Sequence, residues 1–159
     1  RVMECLDFEA LAQVDVSDTE AVKQYVRNEL SRMTAEGELT VEQADLVIPA
    51  MIEGFVLSPI ASRMAQAALR GDLYREKPFV MQYEDVLVQG IIDGYFIEDE
   101  EIVLVDYKTD FVRRGEEQKL IDRYRVQLED YAQALERMTG RKVKERYIYS
   151  FTLGKEILL

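Results

Sequence analysis

The sequence predicts an α/β fold, a mixed central β-sheet flanked by helices, with a helical portion at its N-terminal end. Three observations predict it. Apolar residues recur at helical spacing across the first 70 or so positions and again between residues 116 and 138. Between residues 73 and 108, and again after residue 143, the period shortens to that of strands. Ile102-Val103-Leu104-Val105 is apolar on both faces, the mark of a central strand covered on both sides.

Taken in order, Ser17-Asp18-Thr19-Glu20 reads as a capping box with Ser17 at the N-cap, opening a helix to about Thr34 with Gly37 just past its end. Val22, Tyr25, Val26, Leu30 and Met33 form its apolar face. Thr40-Val41-Glu42-Gln43 repeats the device for a helical stretch through about Phe55, which Pro49 kinks or interrupts. Ser58-Pro59 supplies an N-cap and a proline at the first turn of a helix ending near Gly71. Strands follow at Leu73 to Gln82, with Pro78 marking an edge or bulge, at Val86 to Ile97, and at Ile102 to Lys108. The last two are joined by the acidic tip Glu98-Asp99-Glu100-Glu101. A helix from Glu116 to Met138 carries Leu120, Tyr124, Leu128, Tyr131, Leu135 and Met138 as its stripe and stops at Gly140. Val143 to Thr152 is a further strand, and Glu156 to Leu159 a last one.

Composition narrows the chemistry. The chain of 159 residues suits one domain, and 48% hydrophobic residues rule out intrinsic disorder. It contains no histidine, which removes Ser-His-Asp and Cys-His mechanisms and every His-bearing zinc site. The single cysteine, Cys5, excludes an internal disulfide and an iron-sulfur cluster built from this chain, reads as inert packing, and makes a reducing, cytoplasmic setting the expectation. No apolar run reaches the length that crosses a bilayer, so no membrane is expected as a partner. No Gly-X-X-X-X-Gly-Lys-Ser/Thr loop occurs, so no ATP site is expected. The net charge of −11 is unevenly spread. Residues 1–110 carry net −14 and residues 111–159 net +3, so the last third is suited to face a polyanion.

Asp106-Tyr107-Lys108 closes the central strand. Side chains two apart on a strand share a face about 6.5 Å apart, so Asp106 and Lys108 project together. A hairpin centred on Asp99-Glu100 sets Asp93 opposite Asp106. Two adjacent carboxylates repel, and a shared proton or a divalent cation relieves them. Hard oxygens with a neighbouring lysine suit phosphodiester hydrolysis, with Mg²⁺ or Mn²⁺ polarising the phosphate and Lys108 orienting water or steadying developing charge. An isolated Asp-X-Lys is otherwise a plain ion pair.

Gly90-Ile91-Ile92-Asp93, Asp106-Tyr107-Lys108-Thr109-Asp110 and Gln127-Leu128-Glu129-Asp130-Tyr131 together resemble the PD-(D/E)XK nuclease superfamily, its RecB-like branch, and within that the nuclease domain of AddA-type helicase-nuclease subunits. The resemblance implies a restriction-endonuclease-like core at 73–159 and a helical portion at 1–72, together one nuclease domain of a longer bacterial, cytoplasmic chain. It implies metal ligation by Asp93, Asp106 and the Tyr107 backbone carbonyl, catalysis by Lys108, an active-site or DNA role for Gln127 and Tyr131, and a supporting role for Glu76. It implies DNA as substrate, as a single strand or unwound duplex end. The partners it implies are the helicase domains of the parent chain and an AddB-like subunit. Relatives of this type also carry a metal-ligating histidine in a Gly-Thr-X-X-His setting. Arg1-Val2-Met3-Glu4 resembles the stretch directly after that histidine, so the chain reads as a piece beginning past the ligand, with weak metal binding and slow or absent cleavage expected.

Alternatives stand beside these readings. Gln127 reads equally as a polar residue tolerated on an apolar stripe, Tyr131 as core, and Asp110 as a turn residue rather than a ligand. Arg113, Arg114, Lys119, Arg123 and Arg125 are either a solvated basic face or a track for phosphates. The rival functions are a catalytically idle module that guides DNA or docks a partner, and an acidic interaction domain.

Overall fold

Helices make up the first of two compact units, Arg1–Gly71 and Asp72–Leu159, in the computed structural model, which describes residues 1–159. Two single-turn helices that the periodicity does not announce come first, α1 (Val2–Cys5) and α2 (Phe8–Leu11). The next, α3 (Thr19–Ala35), is capped by Asp18 rather than by Ser17 as predicted. The Asp18 carboxylate accepts from the backbone N–H groups of Glu20 and Ala21, while the Ser17 hydroxyl turns back to Asp15 at 2.6 Å. A charged oxygen is the better cap because it also meets the positive end of the helix dipole.

Val22, Tyr25, Val26 and Met33 are buried as expected, but Leu30 is half-buried and its neighbour Glu29 is buried instead. That carboxylate is fully engaged. It accepts from the Asp7 backbone N–H at 2.7 Å and from Arg32 Nε and Nη2 at 3.0 and 3.2 Å. Arg32 Nη2 also donates to the Cys5 carbonyl at 2.8 Å, tying α1 and the start of α2 to α3. The Thr40–Gln43 capping box forms and opens α4 (Val41–Leu46), and Pro49 interrupts the stretch by starting α5 (Pro49–Val56). Ser58 caps α6 (Pro59–Leu69). Leu6, Phe8, Met33, Phe55, Ile60 and Met64 fill the core, with Phe8 and Phe55 edge to face at 6.1 Å. No helix of the chain is long and apolar enough to cross a membrane.

The second unit is a five-stranded mixed sheet in the order β1 (Leu73–Tyr83), β2 (Val86–Glu98), β3 (Glu101–Lys108), β4 (Val143–Ser150), β5 (Lys155–Leu158), with one long helix, α7 (Glu117–Thr139). Neighbours run antiparallel except β3 and β4, which are parallel because α7 carries the chain back across the sheet. Pro78 lies on the edge strand β1, where its missing N–H costs no sheet pairing. Residues 102–106 of β3 are all buried, as a central strand requires. The tip Asp99-Glu100 turns with both residues at positive φ, 52° and 69°. β4 stops at Ser150, short of the predicted Thr152, because Ser150 Oγ and its carbonyl take up the N–H groups of Leu153 and Gly154 in a turn.

Leu120, Leu128 and Leu135 of α7 pack with Phe79, Met81, Ile92, Leu104 and Ile148 of the sheet. Met138, expected on the same stripe, is 46% exposed in the terminal turn of the helix. Gly140 ends α7 in the left-handed conformation that glycine adopts without strain, at φ 70°.

Candidate active site

The β2–β3 ladder runs from Glu98↔Glu101 to Gly94↔Val105 and stops, while β2 goes on pairing with β1 as far as Val86. Asp93 and Asp106 are the next opposed positions beyond the last rung, as the hairpin centre predicts. Asp93 Oδ2 accepts from the Tyr107 backbone N–H at 2.8 Å, so a side chain takes over where backbone pairing ends.

Alternation along β3 puts Asp106 and Lys108 on the face of Ile102 and Leu104, toward α7. Asp106 is 3% exposed. Lys108 Nζ stands 2.8 Å from its Oδ2, an ion-pair distance, yet no donor is aligned on that oxygen to form a hydrogen bond. Burial first, then the Asp93 carboxylate, push the Asp106 carboxyl up to about 7, against the pull of Lys108. A buried, repelled carboxylate with an unsatisfied oxygen fits a hard divalent cation. Side chains alone do not complete such a site, since no three His, Cys, Asp or Glu residues are gathered in metal-binding proximity.

Lys108 is placed from three sides. Besides Asp106, its ammonium donates to Gln127 Oε1 at 3.0 Å and lies 4.0 Å above the Tyr124 ring. Gln127 is therefore not an idle polar residue on an apolar stripe. One turn on, Tyr131 meets Phe79 edge to face at 5.3 Å, and its hydroxyl is pushed up by burial and then by Asp106 and Asp93. The glycine of Gly90-Ile91-Ile92-Asp93 has a steric reason: a Cβ there would sit 3.0 Å from the Phe79 ring and 3.6 Å from that of Tyr131. Beside this pair a cleft of about 310 Å³ opens, lined by Phe79, Val88, Gln89, Val126, Gln127, Asp130 and Tyr131.

The other predicted positions fall at varying distance from this centre. Glu76 lies on β1 between the Arg75↔Gly94 and Lys77↔Ile92 rungs, hence across from Asp93, at a positive φ of 50°. It does not join Asp93 and Asp106 as a third carboxylate. Asp110 is a turn residue: its carboxylate accepts from the Tyr124 hydroxyl at 2.8 Å and from Arg123, and both hold it below the usual carboxylate range. Of the five basic residues, Arg123 is thus engaged by Asp110 and Lys119 by Glu116 at 3.0 Å, while Arg113, Arg114 and Arg125 are exposed. Tyr124 is the residue that sequence reasoning missed, because its stripe position reads as core. Its place three residues before Gln127, on the same helix face, was the available signal.

A family model described as the PD-(D/E)XK nuclease superfamily matches residues 5–156. Among curated proteins, the ATP-dependent helicase/nuclease AddA of Clostridium novyi is 36% identical over 83% of this chain and 12% of its own length. That of Acetivibrio thermocellus is 39% identical over 82% and 11%, and that of Clostridium perfringens (strain 13 / Type A) 34% identical over 98% and 13%. The chain spans about an eighth of the length of these relatives. A solved structure of a Vibrio cholerae protein aligns with 94% of this chain and 46% of that one, at 12% identity and a TM-score of 0.35.

Proposed function

Because this chain belongs to the PD-(D/E)XK nuclease superfamily, whose members generally use divalent metals, we propose that it is a Mg²⁺- or Mn²⁺-dependent deoxyribonuclease domain of an AddA-type helicase-nuclease. In that setting it hydrolyses phosphodiester bonds during break resection and recombinational repair in the bacterial cytoplasm. The partners are DNA, as a single strand or unwound end, the helicase domains of the parent chain and an AddB-like subunit. The observation that carries the reading is Asp106: a carboxylate 3% exposed, facing Asp93, with an oxygen that no hydrogen-bond donor satisfies and Lys108 beside it.

Asp93 and Asp106 would hold the ion, with the Tyr107 carbonyl as a third oxygen and the remaining positions left to water and the phosphate. Such an ion polarises a scissile phosphate and acidifies the attacking water. The protein's own part is positional and electrostatic. Lys108 presents a cation to the charge that develops on the phosphoryl oxygens. Gln127 and the Tyr124 face fix that ammonium against Asp106, so it need not reorganise during the reaction. Glu76, Tyr131 and the basic residues Arg113, Arg114, Lys119, Arg123 and Arg125 support the strand and the site. The test is cleavage of labelled single-stranded DNA with Mg²⁺ or Mn²⁺ by the wild type, Asp106→Ala and Lys108→Ala. Loss in both variants is expected, and equal activity in all three would leave an idle DNA-guiding module of the same fold.

A further inference from the structure

Phe111 is 79% exposed, more than any other large apolar side chain of Asp72–Leu159. A single exposed apolar residue is ordinary on a protein surface, but this one does not ride on a loose loop. On one side Asp110 is fixed through its carboxylate by Tyr124 and Arg123, and through its carbonyl by Thr152 Oγ1 at 2.8 Å. On the other side Val112 is buried in the core, the Arg113 N–H donates to Glu116 Oε2 at 3.1 Å, and the Glu116 N–H returns to the Arg113 carbonyl at 2.9 Å. A mobile loop would fold such a ring onto the surface. This one is anchored on both sides and holds it in water.

Its position is close to the chemistry. Phe111 follows Lys108 by three residues, at most about 10 Å of backbone, within reach of a nucleotide next to a phosphate at that lysine. The same loop carries Arg113 and Arg114, both exposed. The first carboxylate after them, Glu116, is already engaged by Lys119 Nζ at 3.0 Å and by the Arg113 N–H. An open aromatic face bordered by cations is how proteins hold single-stranded nucleic acid: the ring stacks on a base of any sequence and the cations meet the flanking phosphates. A paired duplex offers that ring no free base face.

We infer that Phe111 is a base-stacking platform which, with Arg113 and Arg114, seats single-stranded DNA against the Lys108 centre. The inference rests on the nuclease reading above and adds the strandedness of the substrate and the residue that selects it.

The experiment is equilibrium binding of the protein, in EDTA so that nothing is cut, to a labelled oligothymidylate and to an abasic oligomer of equal length and charge. Phe111→Ala is expected to weaken oligothymidylate binding about tenfold and to leave the abasic oligomer unaffected, and Phe111→Trp to restore the wild-type value. Arg114→Ala is expected to weaken both ligands alike and to lower the salt dependence. Equal affinity of Phe111→Ala and wild type for oligothymidylate would overturn the inference and leave the ring to a protein partner. An equal loss on both oligomers would also overturn it, since a stacking residue cannot act on a strand without bases. Metal-supported cleavage by wild type against Lys108→Ala is read separately, so the nuclease reading can fail while the stacking result stands.

Discussion

Glu29 and Asp106 are the two buried acids of this protein, one in the helical unit and one in the sheet unit, and each has a basic residue beside it. Glu29 is finished: three donors, the Asp7 N–H and two nitrogens of Arg32, point at its oxygens. Asp106 is not. It faces a second carboxylate, and its Oδ2 has a cation at 2.8 Å but no aligned donor. Burial of a charge is costly unless the surroundings replace what water supplied. Where they do so completely, the acid is structural. Where they leave an oxygen open at the end of a strand, the position is prepared for a group that arrives from outside.

The largest effect expected from this contrast is on cleavage. Asp106→Ala and Lys108→Ala should each lower the rate on single-stranded DNA about a thousandfold, whereas Glu29→Gln should leave it within about twofold of wild type. A comparable loss in Glu29→Gln, measured with the same labelled strand, would erase the distinction between the two acids.

Stability should divide them the other way. Glu29→Ala leaves Arg32 and the Asp7 N–H without their acceptor. It should cost about 2 to 3 kcal/mol in urea unfolding, a figure already reduced because Arg32 keeps 31% exposure. Asp106→Asn in EDTA removes a charge that Asp93 repels and should cost nothing or stabilise. A large loss in Asp106→Asn would mean that its ion pair with Lys108 is structural after all.

Much of this was readable in advance, and the exceptions have physical causes. The double-sided apolar run at 102–105 announced the central strand, and the acidic tip fixed the register that opposes Asp93 to Asp106. The Glu29–Arg32 pair was not readable. Charged residues three apart on a helix usually face water, and Glu29 is buried by a backbone N–H 22 residues earlier in the chain. Tyr124 was hidden for a different reason: helical spacing reports which face a ring occupies, not whether its partner is a leucine or an ammonium. Lys108 supplies the ammonium, and nothing in the period of α7 could show it.

Metal should sharpen the contrast within the sheet unit. Mn²⁺ at about a hundred times its Kd raises the stability of a native state that alone binds it by about 2.7 kcal/mol. The wild type should show a gain of that order, Glu29→Gln the same gain, and Asp106→Asn little of it. Equal stabilisation of Asp106→Asn by Mn²⁺ would place the ion elsewhere.

The smallest effect concerns a third acid, Asp110, which is finished like Glu29 but stands four residues from Asp106. The Tyr124 hydroxyl, then Arg123, hold its carboxyl below the ordinary value of 3.8. A carboxyl lowered in the folded state contributes stability that is present above the unfolded value and is lost as pH falls through the folded one. Asp110→Asn keeps an oxygen for Tyr124 but gives up the charge, so it should lower the melting temperature at pH 7 by about 2 °C. That deficit should hold from pH 8 down to about pH 5 and shrink as the solution is taken toward pH 3, where wild-type Asp110 also becomes neutral. A deficit that widens on acidification would mean that Asp110 is held protonated, which its two donors, a hydroxyl and a guanidinium aimed at its oxygens, argue against.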